Sequence, residues 1–343
     1  RLSVFSGGWT FEAAESVGGS LDAFTLLPQL IAKSLVLRDT DTSLDKGRGE
    51  GEGAEPRYHY LETVRQYARD RLLESGEVEE ARDRHFAYYE ALAKAVSFGT
   101  GPGAKTFTLA WPIQEHDNLR AAIDWGTGRY PERVINLLWD LSILIADQIP
   151  ISELIDWSTA ATQQHEALSP AEGEATRPYE QTRHKALVLI SMLKLFQGQV
   201  DEAKALAGEA INLLQRDNQD PILLIMARFV KGQAGYFLED TNIEELINDS
   251  ISDLKTLQGH PIERPMRAMV TMLSAEIAVR NGKMELAEQR LAEGVALLDQ
   301  TSGLFLTWAE FNRLLMLKSI DLPDDELRSH YEAGIKALRD NHS

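Results

Sequence analysis

Four short polar turns recur at a constant spacing in the C-terminal half of this 343-residue chain. They contain Gly198-Gln199, Asp240-Thr241, Gly282-Lys283 and Pro323-Asp324, so that positions 198, 240, 282 and 324 lie 42 residues apart. Between them apolar residues follow the helical period, and nothing alternates with the period of two that a strand requires. A fixed period of this length is typical of stacked helical hairpins, which bury their apolar faces against one another. The sequence therefore predicts an all-α repeat array in this half.

Small residues strengthen that interpretation because they recur where two helices must approach closely. The two matched sets are Gly198, Ala203, Ala207 and Ala210, then Gly282, Ala287, Leu291 and Gly294. The pattern resembles the tetratricopeptide motif, although the motif's usual unit is about 34 residues and its signature Trp and Pro positions are not kept. A further hairpin is expected in residues 132–168 around Pro150. An irregular helical bundle is the alternative.

The first 75 residues predict a mixed arrangement that begins with two helices. Thr10 is a suitable N-cap for a helix that ends at Gly18-Gly19. Ser20 is a suitable cap for a second helix, which Pro28 is expected to kink or split.

Two strands and a long helical stretch are expected next. The strands are predicted at 34–37 and 57–61, and the segment 39–56 between them is rich in Asp, Gly and Glu. A helical period then extends from Glu62 to Val96, with a turn at Ser75-Gly76. The order helix, helix, strand, long loop, strand, helix is that of a winged helix, in which the long loop is the wing.

These patterns predict a mainly α fold class: a small winged-helix domain with a two-stranded β wing, followed by an α-α superhelix of tetratricopeptide-like hairpins. We expect the winged-helix domain at 1–75, a helical connector and linker at 76–110, and the helical-repeat domain at 111–343. The chain begins at Arg1 without an initiator Met, a basic region or a cleavage site, which favours a piece of a longer protein.

Composition restricts the partners and the compartment. The formal net charge is −18, so the chain as a whole repels nucleic-acid phosphates and anionic membranes. It contains no Cys, which excludes disulfides and thiolate metal sites and is most consistent with a cytoplasmic location. The best apolar run, 187–195, is too short to span a membrane.

Nothing in the sequence indicates catalysis, a metal or a cofactor. Residues 99–106 match the phosphate-binding loop pattern except at Ala104, but they follow an amphipathic helix where such a loop requires a buried strand, so a linker is expected. The eight His residues show no metal-ligand spacing. Trp111, Trp125, Trp139 and Trp157 lie in apolar helical contexts, where core packing is expected.

Four sequence motifs occur in the order found in a known family. They are RLSVFSGGWTFEAAE at 1–15, LIAKSLV at 30–36, YHYLETVRQYA at 58–68 and EHDNLRAA at 115–122. Over about the first 125 positions the chain resembles the bacterial signal-transduction ATPases with numerous domains. In that family these segments follow the nucleotide-binding module and form a winged helix, a helical connector and a tetratricopeptide-like sensor.

The resemblance implies a regulatory role without catalysis. Such proteins are ATP-dependent switches, often acting on transcription, in which the superhelix senses an inducer or a partner. No ATPase module is present in this chain, so the resemblance transfers no nucleotide-binding residues to it. A protein-interaction scaffold, or a DNA-binding regulator that uses its winged helix, is the alternative.

Direct DNA binding is disfavoured by the local charge. Positions 1–100 contain 12 Lys and Arg against 17 Asp and Glu, and the helix expected to read DNA offers one cation, Lys33. Binding to phosphates requires several.

Charges in the repeats segregate by helix. The first helices of the four hairpins carry +8 in total and their partner helices carry −8. First helices line the concave groove in helical-hairpin solenoids, so an acidic chain is expected to present a basic groove. The groove would receive an acidic segment of a protein partner or an anionic small-molecule inducer. The candidate binding residues are Arg183, Lys194, Arg228, Lys231, Tyr236, Arg267, Arg280 and Arg313. The alternative is that these charges are solvated or paired with the neighbouring acidic helices.

Overall fold

The computed structural model describes residues 1–39, 56–96, 114–145, 149–168, 177–216, 220–260 and 262–298. These residues are mainly helical, with one small antiparallel sheet. They divide into a first compact unit that extends from Arg1 to Leu141 and a second that comprises the described residues from Pro150 onward.

The first unit begins with a short 3₁₀ turn at Leu2–Val4 and combines helices with three short strands. The strands are β1 (Trp9–Thr10), β2 (Val36–Arg38) and β3 (Arg57–Tyr60). The helices are α1 (Phe11–Gly18), α2 (Ala23–Ala32), α3 (Glu62–Ser75), α4 (Val78–Val96), α5 (His116–Thr127) and α6 (Pro131–Ile145), which begins in this unit.

The sheet has the order β1-β3-β2, with both pairs antiparallel. Trp9 pairs with Tyr58 and Leu37 with His59. The two expected strands are confirmed, but the sheet contains a third strand, β1, that the sequence did not predict. Two residues are too few to display the alternation that reveals a strand, and β1 is identified only by its pairing with β3.

Helix termini in this unit follow their capping chemistry. The Thr10 hydroxyl accepts a hydrogen bond from the Ala13 amide, as expected for an N-cap. The cap expected of Ser20 is wrong, because Asp22 accepts from the Thr25 amide instead. Pro28 lies inside α2 without splitting it. Gly76 ends α3 in the left-handed conformation (φ 74°).

The core of the first unit is aromatic. The rings of Phe5 and Trp9 stack with centroids 5.5 Å apart, and the His85 ring meets Phe5 edge-on at 4.9 Å. Phe86 and Tyr89, on α4, are also fully buried. These contacts join the N-terminal segment to α4, so a motif at the start of the chain is part of the core.

The second unit consists of helical hairpins. Its helices are α7 (Ile151–Ala167), α8 (Arg177–Phe196), α9 (Val200–Arg216), α10 (Pro221–Phe237), α11 (Ile243–Asp253), α12 (Glu263–Arg280) and α13 (Met284–Leu298). A 3₁₀ turn, Leu254–Leu257, extends α11. Consecutive helices pack together, and α10 also contacts α8 and α12. First helices of successive hairpins therefore lie side by side.

Three of the four predicted turns are confirmed as helix breaks, and the fourth lies outside the described residues. Gly198 and Gly282 adopt positive φ, and each turn closes with the same pair of backbone hydrogen bonds. At the middle turn that geometry recurs with Glu239 (φ 57°) as the left-handed residue, one position before the predicted Asp240.

Small residues lie where the helices are closest, as expected. Ala203, Ala207 and Ala210 on α9 are fully buried. A Cβ atom on Gly294 would lie 2.8 Å from Cγ of Met272, so that α13 approaches α12 where only glycine fits. Trp139 and Trp157 are buried, which confirms core packing for both. Trp125 is only half-buried and its ring faces the guanidinium groups of Arg82 and Arg129, and Trp111 lies outside the described residues.

Candidate functional site

The predicted groove residues of the second unit pair mainly with the acidic helices beside them. On α8, Arg183 lies 3.6 Å from Glu209 and Lys194 lies 3.0 Å from Glu202, and both carboxylates belong to α9. On α12, Arg267 pairs with Glu263 one turn earlier in the same helix. These contacts agree with the alternative to a free basic groove, in which the cations pair with carboxylates of the same protein.

Arg228 is the most buried of the predicted cations, with 6% of its surface exposed. Its guanidinium forms an ion pair with Asp253 and lies 3.8 Å from Asp249, both on α11. An arginine with this burial and two carboxylate neighbours joins α10 to α11. Replacing it disturbs the fold, so Arg228→Glu is a poor probe of binding.

Three predicted residues meet around the turn at Asp240. The Arg280 guanidinium donates to the backbone oxygens of Tyr236 at 3.1 Å and Asp240 at 2.8 Å, and it lies 5.0 Å from the centre of the Tyr236 ring. A hydrogen bond from the Asn242 amide is the main cause that holds the pKa of Asp240 below its usual range, and a hydrogen bond from Lys204 and the charge of Lys231 act in the same direction. Lys204 forms an ion pair with Asp240 at 3.0 Å. The eighth predicted residue, Arg313, lies outside the described residues.

One buried carboxyl group of the second unit was not predicted. Glu276 on α12 is buried beside Gln233 of α10, and burial raises the pKa of Glu276 to about 8. Its carboxyl group is therefore largely protonated at neutral pH.

In the first unit, Glu115 is the centre of a buried polar network. Its Oε2 accepts hydrogen bonds from the Tyr89 hydroxyl at 2.6 Å and from Nδ2 of Asn118 at 2.8 Å. Its Oε1 accepts from the Arg57 guanidinium. Oδ1 of Asn118 in turn accepts from the amides of Ser6 at 2.9 Å and Gly7 at 3.2 Å.

This network joins the first and the last of the four sequence motifs. The segment 1–15 contributes backbone groups, β3 contributes Arg57, and the segment 115–122 contributes Glu115 and Asn118. The ion pair of Glu115 with Arg57 was not predicted from the sequence. The pairing joins positions 58 residues apart, and no local pattern reveals such a pair.

A cavity of about 350 Å³ also lies in the first unit. It is bordered by the Leu2–Val4 turn and by α3, α4 and α5, and its charged lining includes Arg65, Arg69 and Arg82. No local sequence pattern indicates this cavity, because its arginines belong to two helices and its remaining walls come from distant segments.

Other candidate chemistry is limited in the described ranges. Among those residues no group of three or more His, Cys, Asp or Glu side chains is placed to hold a metal ion. None of the helices described is long and apolar enough to cross a membrane. Residues 99–106, which resemble a phosphate-binding loop, lie outside the described ranges.

Fold and contacts together define a mainly helical protein in which a small three-stranded sheet precedes a series of helical hairpins. The chain is 30% identical over 265 residues to three proteins, each named "Putative HTH-type transcriptional regulator". Two are Mb0914c of Mycobacterium bovis and Rv0890c of Mycobacterium tuberculosis. The match covers 73% of this chain and 28% of each relative, so this chain spans less than a third of their length.

The relatives are named as regulators and not as enzymes. No family model matches the chain, and no solved structure matches it significantly.

Proposed function

We propose that this chain is the non-catalytic sensor and regulatory portion of a larger ATP-dependent bacterial switch that acts on transcription. The observation that carries the proposal is the similarity to much longer proteins named as transcriptional regulators. The order of the two units, a small mixed unit followed by helical hairpins, agrees with the resemblance to signal-transduction ATPases with numerous domains. In this interpretation the first unit contains a winged helix and the second is a tetratricopeptide-like sensor.

The surface of α2 supports contact with protein in preference to DNA. Phe24 has 78% of its surface exposed, and Leu21 and Leu26 are also exposed. The only cation near the end of this helix is Lys33. A helix with exposed apolar side chains and one cation is suited to packing on another protein module, and we assign the nucleotide-binding module of the parent protein to it.

In the second unit we propose that a protein partner or an anionic inducer binds at the first helices of the hairpins. Arg183 and Lys194 remain partly exposed, and the carboxylate partner of each is more exposed than the cation itself. Ion pairs of this kind contribute little to stability, so an anionic ligand can replace the carboxylates at small cost. Arg228, which is buried, is assigned a structural role.

The ligand test is a thermal-shift screen of the chain against anionic metabolites and acidic peptides, repeated at higher salt. We expect a saturable increase in Tm that persists in salt and is lost in the double variant Arg183→Glu with Lys194→Glu. The matched control is Arg216→Glu with Lys255→Glu, which makes the same charge change on exposed residues of the second-helix segments. Equal loss in both double variants, or no shift with any compound, would contradict binding at the first helices.

Two further observations test the regulatory assignment. The reading frame upstream of Arg1 should encode a nucleotide-binding module, and its absence would contradict the ATP-dependent switch. Fluorescence anisotropy with random duplex DNA at low salt should show no submicromolar binding. Tight binding to that duplex would shift the function of the first unit to DNA recognition.

A further inference from the structure

The cavity in the first unit has the dimensions of a small-molecule site. Its volume of about 350 Å³ lies within the usual range for ligand pockets. Four separate segments form its walls: the N-terminal turn, α3, α4 and α5. Because all of these segments belong to one compact unit, the cavity is defined without any contribution from the second unit.

The charge of the cavity is opposite to that of the chain. Arg65 and Arg69 from α3 and Arg82 from α4 line it, and among the described lining residues Asp124 is the one that is acidic. Three guanidinium groups against one carboxylate make this a local positive site on a protein whose formal net charge is −18. Guanidinium groups suit carboxylate and phosphate groups through paired hydrogen bonds.

The three arginines differ in how firmly they are held. Arg65 pairs with Glu62 at 2.9 Å, and the Arg82 guanidinium lies 5.0 Å from the centre of the Trp125 ring. Arg69 is exposed and forms no ion pair with the part of the chain that the structure describes. Of the three arginines, Arg69 is therefore the most available to pair with an anionic ligand.

Two buried polar atoms of lining residues also lack a partner in the described chain. They are Oγ of Ser3 and Nε2 of His85, and both side chains are more than nine-tenths buried. An unsatisfied buried polar atom costs free energy, and these two atoms lie within the cavity wall and not on its accessible surface. Leu72, Leu73 and Val78 supply an apolar wall on the same cavity.

We propose that this cavity binds a small organic anion, with a phosphate or carboxylate group at Arg65, Arg69 and Arg82 and an apolar body against Leu72, Leu73 and Val78. The proposal does not rest on the function assigned to the second unit. It adds a binding site to the first unit, at a distance from α2, since none of the α2 residues lines it.

The test is isothermal titration of the intact chain with phenyl phosphate, benzoate, inorganic phosphate and the neutral benzyl alcohol. We expect phenyl phosphate or benzoate to bind once per chain at millimolar concentration or below, and benzyl alcohol not to bind. Comparison of phenyl phosphate with benzoate identifies the preferred head group. Absence of saturable binding by both aromatic anions would overturn the proposal.

A matched pair of variants locates the binding. Arg69→Glu should weaken binding by about tenfold or more, since a cation that pairs with the bound anion is replaced by a charge that repels it. Arg71→Glu makes the same charge change on the same helix, outside the cavity lining, and should leave the affinity nearly unchanged. Equal weakening in both variants would mean that the net charge of the protein, and not a site at Arg69, governs binding. That result would overturn the proposed site.

Leu73→Ser tests the apolar wall. Leu73 has 59% of its surface exposed, so the substitution should not unfold the unit. It should weaken the aromatic anions while leaving any binding of inorganic phosphate unchanged. Unchanged affinity for the aromatic anions would contradict the proposed orientation. Thermal unfolding of each variant provides the control for folding.

Discussion

The Tyr89 hydroxyl donates a hydrogen bond to Oε2 of Glu115 at 2.6 Å, in the interior of the first unit. The same carboxylate accepts from Asn118 and Arg57, so that both of its oxygens are occupied. Burial, followed by the negative charge of Glu115, raises the pKa of Tyr89 well above its usual value, and the phenol remains a donor throughout the physiological range. The hydrogen bond thus links α4 to the segment that begins α5.

Tyr89→Phe should destabilise the first unit by roughly 1.5–3 kcal/mol, because it removes a buried hydrogen bond to a charged group. Tyr67→Phe is the matched control, since Tyr67 is exposed on α3, and it should change stability by less than about 0.5 kcal/mol. Urea unfolding followed by circular dichroism measures both. If the two variants are equally stable, the hydrogen bond from Tyr89 to Glu115 contributes nothing to the free energy of unfolding.

Gly126 is expected to tolerate no side chain. A Cβ atom there would lie 2.5 Å from Cε2 of Phe86 and 2.7 Å from Cγ2 of Val134. Gly126→Ala should therefore cost about 1–3 kcal/mol through overpacking. At Gly128 nothing lies within 4 Å of the added atom, and Gly128→Ala should be neutral or stabilising by under about 1 kcal/mol. Similar Tm values for the two variants would refute the close packing of α5 on α4.

His85 should make the first unit less stable in acid. Desolvation lowers the pKa of His85 to about 4, with Arg82 nearby as a minor cause that acts in the same direction. An unfolded histidine titrates near about 6.5. The contribution of the neutral His85 side chain to the free energy of unfolding is therefore fully present above about pH 6.5. It is lost as the pH falls from about 6.5 to about 4, and the loss amounts to up to about 3 kcal/mol.

The check is to measure unfolding free energies of the wild type and His85→Phe across that range. The difference between the two should change with pH, whereas His260→Gln, at an exposed position, should follow the wild type. A pH-independent difference for His85→Phe would contradict a neutral buried imidazole.

Glu276 should make the second unit less stable as the pH rises, which is the opposite of the effect of His85 on the first unit. Its folded pKa of about 8 lies above the unfolded value of about 4.3, so the folded state retains a proton that the unfolded state releases. Stability falls as the pH rises from about 4.3 to about 8. Among the described residues, Tyr236 is close enough to interact with the charges of Glu276 and Arg280.

Glu276→Gln keeps the shape of the side chain and removes the titration. We expect it to stabilise the second unit by up to about 3 kcal/mol at pH 7 and to flatten the pH dependence. Glu288→Gln, at an exposed position of α13, should do neither. A destabilised Glu276→Gln variant at neutral pH would show that the carboxylate is ionised and needed.

The left-handed turn at Glu239 offers a stabilising substitution. A residue with a Cβ atom costs about 1–2 kcal/mol in this conformation, and the equivalent positions in the flanking hairpins are Gly198 and Gly282. Glu239→Gly should relieve this strain and raise the free energy of unfolding by about 0.5–1 kcal/mol, since glycine's greater freedom in the unfolded chain offsets part of the gain. Gly282→Ala should lower it by a similar amount. A denaturation experiment in which Glu239→Gly destabilises the protein, or Gly282→Ala stabilises it, would contradict the shared turn geometry.

Much of the fold was predictable because its signals are local. Thr10 as an N-cap and the turns at Gly76, Gly198 and Gly282 follow from the chemistry of single residues, and all are present. The two-residue strand β1 was not predictable, since its only signature is its pairing with β3. The cap at Asp22 was missed because Ser20 and Asp22 are both good caps and the sequence alone does not choose between them.

The candidate sites were less predictable because they depend on distant residues. Charge segregation in the hairpins correctly identified that the first helices are rich in cations, but the carboxylates that pair with Arg183 and Arg228 lie on the adjoining helices. Glu115 and the arginine-lined cavity combine residues from segments more than 50 positions apart. Their binding properties remain predictions.

The hydrogen bond between the Ser6 amide and Asn118 joins positions separated by 112 residues, which has a consequence for synthesis. A ribosome adds about 5–20 residues each second, so on the order of ten seconds pass before the N-terminal segment meets its partner. During that interval the rings of Phe5 and Trp9 have no completed core to enter. Each helical hairpin, by contrast, closes as soon as its second helix emerges, as with Lys194 and Glu202. Residues 1–15 therefore wait longer for their partners during synthesis than the helices of a hairpin do.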